Sequence, residues 1–131
     1  MANAELVTVV LLVEDEEIVQ ELISTALEDA GYNVVTAKDG TDALSWLGGP
    51  HDDLSGLVTD IKLPGELTGW DVATRARERY PDLPVVYMSG DSAVEWAAKG
   101  VPKSVMLSKP FVPSQVIVAL ASMANSSDLQ G

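Results

Sequence analysis

Short apolar runs alternate with helix-length segments along the whole chain, and this alternation restricts the fold more than any other feature. Residues 6–13 are nearly continuous in Leu and Val, the composition of a strand buried on both faces of a parallel sheet. Residues 16–30 follow with Ile18, Val19, Leu22, Ile23, Ala26 and Leu27 at a 3.6-residue period, and Gly31 stops the helix. The pattern repeats four more times. Strands are expected over 33–37, 54–59, 84–88 and 104–107. Helices are expected over 40–47, 68–80, 92–99 and 113–125, the last opened by Pro113 in its first turn. Five strands alternating with five helices require βαβ units with right-handed crossovers, and hence a parallel sheet covered on both faces. The expectation is a doubly wound α/β domain. At 131 residues this is one domain, with a core over about residues 6–125 and a frayed tail over 126–131.

Composition narrows the function. With no cysteine, disulfides, thiolate metal sites and cysteine nucleophiles are excluded. A net charge of −12 disfavours a nucleic-acid surface, which needs clustered Lys and Arg. Residues 1–60 hold 13 acids and one base, Lys38, so the whole charge excess lies in the first half. The longest aliphatic run, Val9–Val13, is far too short for a membrane span, and residues 1–6 lack the basic and apolar regions of a signal peptide. A cytoplasmic location is expected.

In open α/β sheets, ligands bind beyond the carboxyl ends of the strands, at the switch point of strand order. The first strand runs into Glu14-Asp15-Glu16-Glu17, the third into Asp60, the fourth into Ser89-Gly90-Asp91 and the fifth into Ser108-Lys109-Pro110. The second ends in Ala37-Lys38 without such a cluster, which suits a peripheral strand. Singly, each group has an ordinary explanation. Glu16 and Glu17 favour a helix N-terminus, Asp60 suits a turn, Asp91 and Ser92 could cap the fourth helix, and Lys109 could lie on the surface. Together on one edge they form a site. Carboxylates of Glu14, Asp15 and Asp60 at about 5 Å would repel by roughly 3 kcal/mol per pair at an effective dielectric near 20. Oxygen ligands alone point to a hard cation, Mg²⁺ foremost. A hydroxyl and an ammonium beside a metal-bound carboxylate make a phosphoryl cradle, and an aspartate can itself accept the phosphoryl group.

Four motifs, Val10-Leu11-Leu12-Val13-Glu14-Asp15-Glu16, Val58-Thr59-Asp60-Ile61-Lys62-Leu63-Pro64-Gly65, Val86-Tyr87-Met88-Ser89-Gly90 and Ser108-Lys109-Pro110-Phe111, together resemble the response-regulator receiver domain of two-component signalling. The resemblance covers about residues 6–125. It implies a flavodoxin-like (βα)5 sheet of order 2-1-3-4-5. It also implies Asp60 as phosphoacceptor, Ser89 as switch hydroxyl and Lys109 as phosphate-binding lysine. Mg²⁺ would be held by Glu14, Asp15, Asp60 and the backbone carbonyl of Lys62. The phosphoryl donor would be a sensor histidine kinase or histidine phosphotransfer protein. Output would pass through protein contacts on the face of the fourth helix, fifth strand and fifth helix, without nucleic acid or membrane. The Lys109–Pro110 bond is expected to be cis. Glu14 stands where the family more often has aspartate. Met106 stands where it usually has an aromatic, which predicts a smaller difference between inactive and active surfaces.

The rival class is an enzyme, a Mg²⁺-dependent phosphohydrolase with Asp60 as nucleophile. Such an enzyme needs a nearby general acid and a substrate cap. Asp60 is followed by Ile61-Lys62, with no acid two residues on, which favours a module that catalyses only its own phosphorylation and dephosphorylation. The full set of site residues also disfavours a degenerate binding platform. Of the remaining residues, His51 is expected in a surface loop, Trp46 and Trp70 in helix packing, and Trp96 at a partner surface. Arg75, Arg77 and Arg79 are expected to form a solvated face.

Overall fold

A computed structural model describes residues 8–51, 53–91 and 93–130. It contains strands β1 (Val9–Val13), β2 (Asn33–Ala37), β3 (Gly56–Asp60), β4 (Val85–Ser89) and β5 (Ser104–Ser108). The helices are α1 (Glu17–Asp29), α2 (Gly40–Leu47), α3 (Gly69–Arg79), α4 (Trp96–Lys99) and α5 (Pro113–Gln130). All strand pairs are parallel and the sheet order is β2-β1-β3-β4-β5, the doubly wound (βα)5 arrangement expected from the sequence. The order reverses at β1, so β1 and β3 diverge into loops on either side of one crevice.

The strand period of two divides the core into two layers. Leu11, Val13, Leu57, Val85 and Tyr87 pack toward α2 and α3, against Ala43, Leu47, Trp70, Val72, Ala73 and Ala76. Val10, Leu12, Val58, Val86 and Met88 face α1 and α5, against Ile23, Leu27, Val116, Ala119 and Leu120. Every residue of β3 and β4 is buried, which explains the unbroken apolar run Val85–Met88 of β4. Thr68 opens α3 with a reciprocal capping box: Asp71 N–H donates to the Thr68 hydroxyl, and Thr68 N–H donates to the Asp71 carboxylate.

Several expectations shift in detail. Residues 6 and 7 of the first strand, and Ser92, lie outside the described residues. The third strand begins at Gly56, and the fourth helix is a 3-10 turn (Ala93–Glu95) followed by one short α-helical turn. Helix α5 continues to Gln130, beyond the expected end at 125, because no Gly or Pro interrupts its hydrogen-bond ladder before Gly131. The arginines of α3 are not merely a solvated face. Arg75 is exposed beside Glu78, as expected. Arg77 donates to the carbonyls of Leu83 (2.8 Å) and Lys103 (3.0 Å), and Arg79 to those of Leu47, Gly49 and His51. These carbonyls end a helix or line loops, where no ladder partner exists, and such groups are not readable from residue periodicity. Trp70 is buried, with its ring centroid 4.7 Å from that of Tyr87. Trp46 stacks on the half-buried His51 at 4.0 Å. Among the described residues, no helix is long and apolar enough to cross a membrane.

Gly69 couples this framework to the end of β3. Its N–H donates to the Ile61 carbonyl at 2.8 Å, and α3 starts where the backbone passes directly over Asp60. A Cβ at this position would collide with the Asp60 carbonyl oxygen and come within 2.9 Å of the Ile61 Cα. Both obstacles are backbone, so they cannot swing aside. Gly69→Ala is therefore expected to destabilise the fold by about 1–3 kcal/mol. A denaturant melt checks this, and an unchanged midpoint would contradict the close packing of α3 on the end of β3.

Candidate functional site

The carboxyl ends of β1, β3, β4 and β5 deliver the expected residues to one place. Glu14 leaves β1 fully buried, its N–H donating to the Ala37 carbonyl at 3.0 Å. One carboxylate oxygen, Oε2, accepts from Glu16 N–H at 3.0 Å, while Oε1 is buried without a hydrogen-bond partner. Asp15 is exposed, and Asp60, at the end of β3, is 7% exposed. Oxygens of Glu14, Asp15 and Asp60 all lie within 4.8 Å of one another. Lys109 enters from beyond β5. Its N–H donates to the Ser89 carbonyl at 2.8 Å, and its Nζ donates to Asp60 Oδ2 at 3.0 Å and lies 3.9 Å from Glu14 Oε1. The Lys109–Pro110 peptide is cis, as expected. Ser89 is buried, and its Oγ accepts from Asp91 N–H at 3.1 Å.

Asp60, Lys62, Ser89, Gly90, Asp91 and Lys109 line an open cavity of about 420 Å³. The Lys62 side chain does not enter the carboxylate cluster. It crosses the mouth of the cavity and pairs with Asp91 at 2.7 Å. Asp91 therefore serves as a salt-bridge partner of Lys62, and Glu95, at the N-cap of α4, makes no side-chain cap bond. Supporting contacts were not legible in the sequence. The Thr59 hydroxyl donates to the Asp60 carbonyl at 2.8 Å, and Gln20 Nε2 donates to the Glu14 carbonyl at 2.9 Å. The only trace of the latter is a polar residue in the first turn of α1, six residues after Glu14.

The electrostatics follow from burial. Desolvation, the dominant influence, raises Glu14 to about 7; the neighbouring charges of Asp60 and Asp15 push the same way. The Glu16 N–H bond and the Lys109 charge oppose this but do not overcome it. Burial alone would lower Lys109. Its hydrogen bond to Asp60 and the charges of Asp60 and Glu14 outweigh that and hold the ammonium above its ordinary value. The donor set consists of hard oxygens, one of them a buried orphan, with a single ammonium facing three carboxylates. This fits a small divalent cation.

A pH dependence follows. Unfolded, Glu14 titrates near 4.5; folded, near 7. Between these values the folded state binds more protons, so metal-free stability falls as pH rises through the window and levels off above it. The full loss is roughly 3 kcal/mol. In Glu14→Gln this slope should flatten, and the variant should be the more stable form above neutrality. Thermal melts in chelator across the window measure it, and an identical slope in both proteins would contradict the assignment.

Comparison with known proteins places this geometry. The profile described as the response regulator receiver domain matches residues 10–121. A response regulator receiver protein from Sinorhizobium medicae has a crystal structure that superposes with a TM-score of 0.87, at 41% identity, over 93% of this chain and 97% of that one. The response regulator receiver protein CpdR of Brucella abortus is 36% identical over 104 residues, covering 78% of this chain and 84% of its own. The probable transcriptional regulatory protein TcrX of Mycobacterium tuberculosis is 33% identical over 124 residues, 93% of this chain but 51% of TcrX. The chain thus spans about half, or less, of the length of several curated relatives that it matches. With the family profile across most of its length and the five-stranded order in place, the chain belongs to the response regulator receiver domain family of two-component signalling.

Proposed function

We propose that this receiver accepts a phosphoryl group on Asp60 from a histidine kinase or a histidine phosphotransfer protein. The observation that carries the reading is the contact between Asp60 Oδ2 and Lys109 Nζ at 3.0 Å, on the wall of a cavity that Ser89 also lines. A carboxylate oxygen of Asp60 attacks phosphorus, the bond from phosphorus to the donor atom breaks, and the donor leaves with its electron pair. Lys109 offers positive charge to a phosphoryl oxygen, and the Ser89 hydroxyl, on the wall of the same cavity, would donate to another. Glu14, Asp15, Asp60 and the Lys62 backbone carbonyl would hold Mg²⁺. When bound, the ion supplies charge neutralisation for the oxygens of the transferring group. Burial of Asp60 shields the acyl phosphate from bulk water, and Lys62, two residues on, offers no carboxyl to serve a hydrolase. This supports a regulatory module over a conventional phosphohydrolase.

Signalling then passes to an output protein through the face of α4, β5 and α5. Val94, in the 3-10 turn that leads into α4, is exposed, and Trp96 is 36% exposed, its Nε1 donating to Ser104 Oγ at 2.9 Å. Met106, half-buried, pairs in register with the fully buried Tyr87, so the aromatic of this region lies on β4 and not at the usual position on β5.

Incubation with Mg²⁺ and acetyl phosphate, followed by intact-mass measurement, tests the reading. A mass increase of one phosphoryl group should appear and should vanish in Asp60→Asn or in chelator. Labelling of Asp60→Asn at the native rate would move the acceptor elsewhere.

A further inference from the structure

The loops after β3 and β4 form opposite lips of the cavity over Asp60, and one ion pair joins them. Lys62 Nζ donates to Asp91 Oδ2 at 2.7 Å, with side chains 73% and 62% exposed. An exposed pair of this kind adds little to folding stability, so its interest lies in its position. It lies outside the Glu14, Asp15 and Asp60 cluster but on the wall of the same cavity. Asp91 is tied inward as well, since its N–H donates to Ser89 Oγ at 3.1 Å. The Lys62 ammonium sits beside Asp91, with the Glu95 charge further off and itself paired to Lys99 at 2.8 Å. An incoming phosphoryl donor is anionic and must approach a carboxylate. A lysine at the mouth would assist that approach if its charge were free, and Asp91 neutralises it.

We propose that Lys62 and Asp91 form an electrostatic strap across the acceptor cavity: Asp91 holds Lys62 in reserve, and an anionic phosphoryl donor must win the lysine from Asp91 to reach Asp60. The strap makes Asp91 a brake on phosphorylation by small donors and makes Lys62 a positioning residue for the donor's oxygens. It rests on the assignment of Asp60 as acceptor. The step with acetyl phosphate is balanced: Asp60 oxygen bonds to phosphorus, the phosphorus–acetate bond breaks, and acetate departs with the electron pair. Lys62 exchanges its partner and gains or loses no proton.

A double-mutant cycle on the full chain separates this from simple repulsion by Asp91. Initial rates of labelling by acetyl phosphate with Mg²⁺ are measured for the native chain, Asp91→Asn, Lys62→Gln and the double variant. Asp91→Asn should accelerate labelling about fivefold, and Lys62→Gln should slow it by a similar factor. In the Lys62→Gln background, Asp91→Asn should change the rate less than twofold, because its effect runs through the lysine. The acceleration should also shrink as salt rises, since both groups are solvent-exposed. Equal acceleration in both backgrounds, or none in either, overturns the strap while leaving Asp60 as acceptor. Labelling that persists in Asp60→Asn, or no labelling of the native chain, overturns the acceptor assignment and the strap with it.

Discussion

Glu14, Asp15 and Asp60 present oxygens within 4.8 Å of one another, two of the residues buried, with one lysine to face them. At that separation each pair of charges repels by roughly 3 kcal/mol at an effective dielectric near 20, and burial adds its own penalty. Nothing local favours this meeting. The parallel sheet imposes it: the ends of β1 and β3 are neighbours in register, so the residues that follow Val13 and Thr59 must emerge side by side. The unfavourable charge cluster is held by the apolar layers on both faces of β1, β3 and β4.

The residues around the cluster are placed by backbone contacts more than by side chains. Glu14 is bonded through its own N–H, its carbonyl and one carboxylate oxygen. Gly69 admits α3 directly over Asp60, and Lys109 is tied to β4 through its N–H before its side chain reaches the carboxylate. The strain of the site is therefore electrostatic, concentrated in Glu14, whose carboxyl is pushed up to about 7 and whose Oε1 has no hydrogen-bond partner. That pattern fits a positively charged occupant.

Much of this was legible in the sequence because strand ends are legible. An apolar run followed at once by Glu-Asp, by Asp, by Ser-Gly or by Ser-Lys-Pro names both the strand and the residue at its carboxyl edge, and the parallel topology brings these edges together. Glu14, Asp15, Asp60, Ser89 and Lys109 meet for that reason. Contacts that depend on where a loop returns could not be read. Arg79 reaching the carbonyls of the α2–β3 loop and Lys62 reaching Asp91 are pairings 28 to 32 residues apart with no periodic signal. The end of α5 lies beyond the expected residue 125 because an apolar stripe does not mark where the backbone ladder stops, and no Gly or Pro stands before Gly131 to stop it.

The central claim is that the clustered carboxylates bind a divalent cation and that the fold gains stability from it. Thermal melts at neutral pH with and without Mg²⁺, at matched ionic strength, test it directly. At a Mg²⁺ concentration ten times its dissociation constant, the midpoint should rise by roughly 3–6 °C. Asp60→Asn, with one charge removed, should gain much less. Identical midpoints in the native chain with and without Mg²⁺ would contradict the claim.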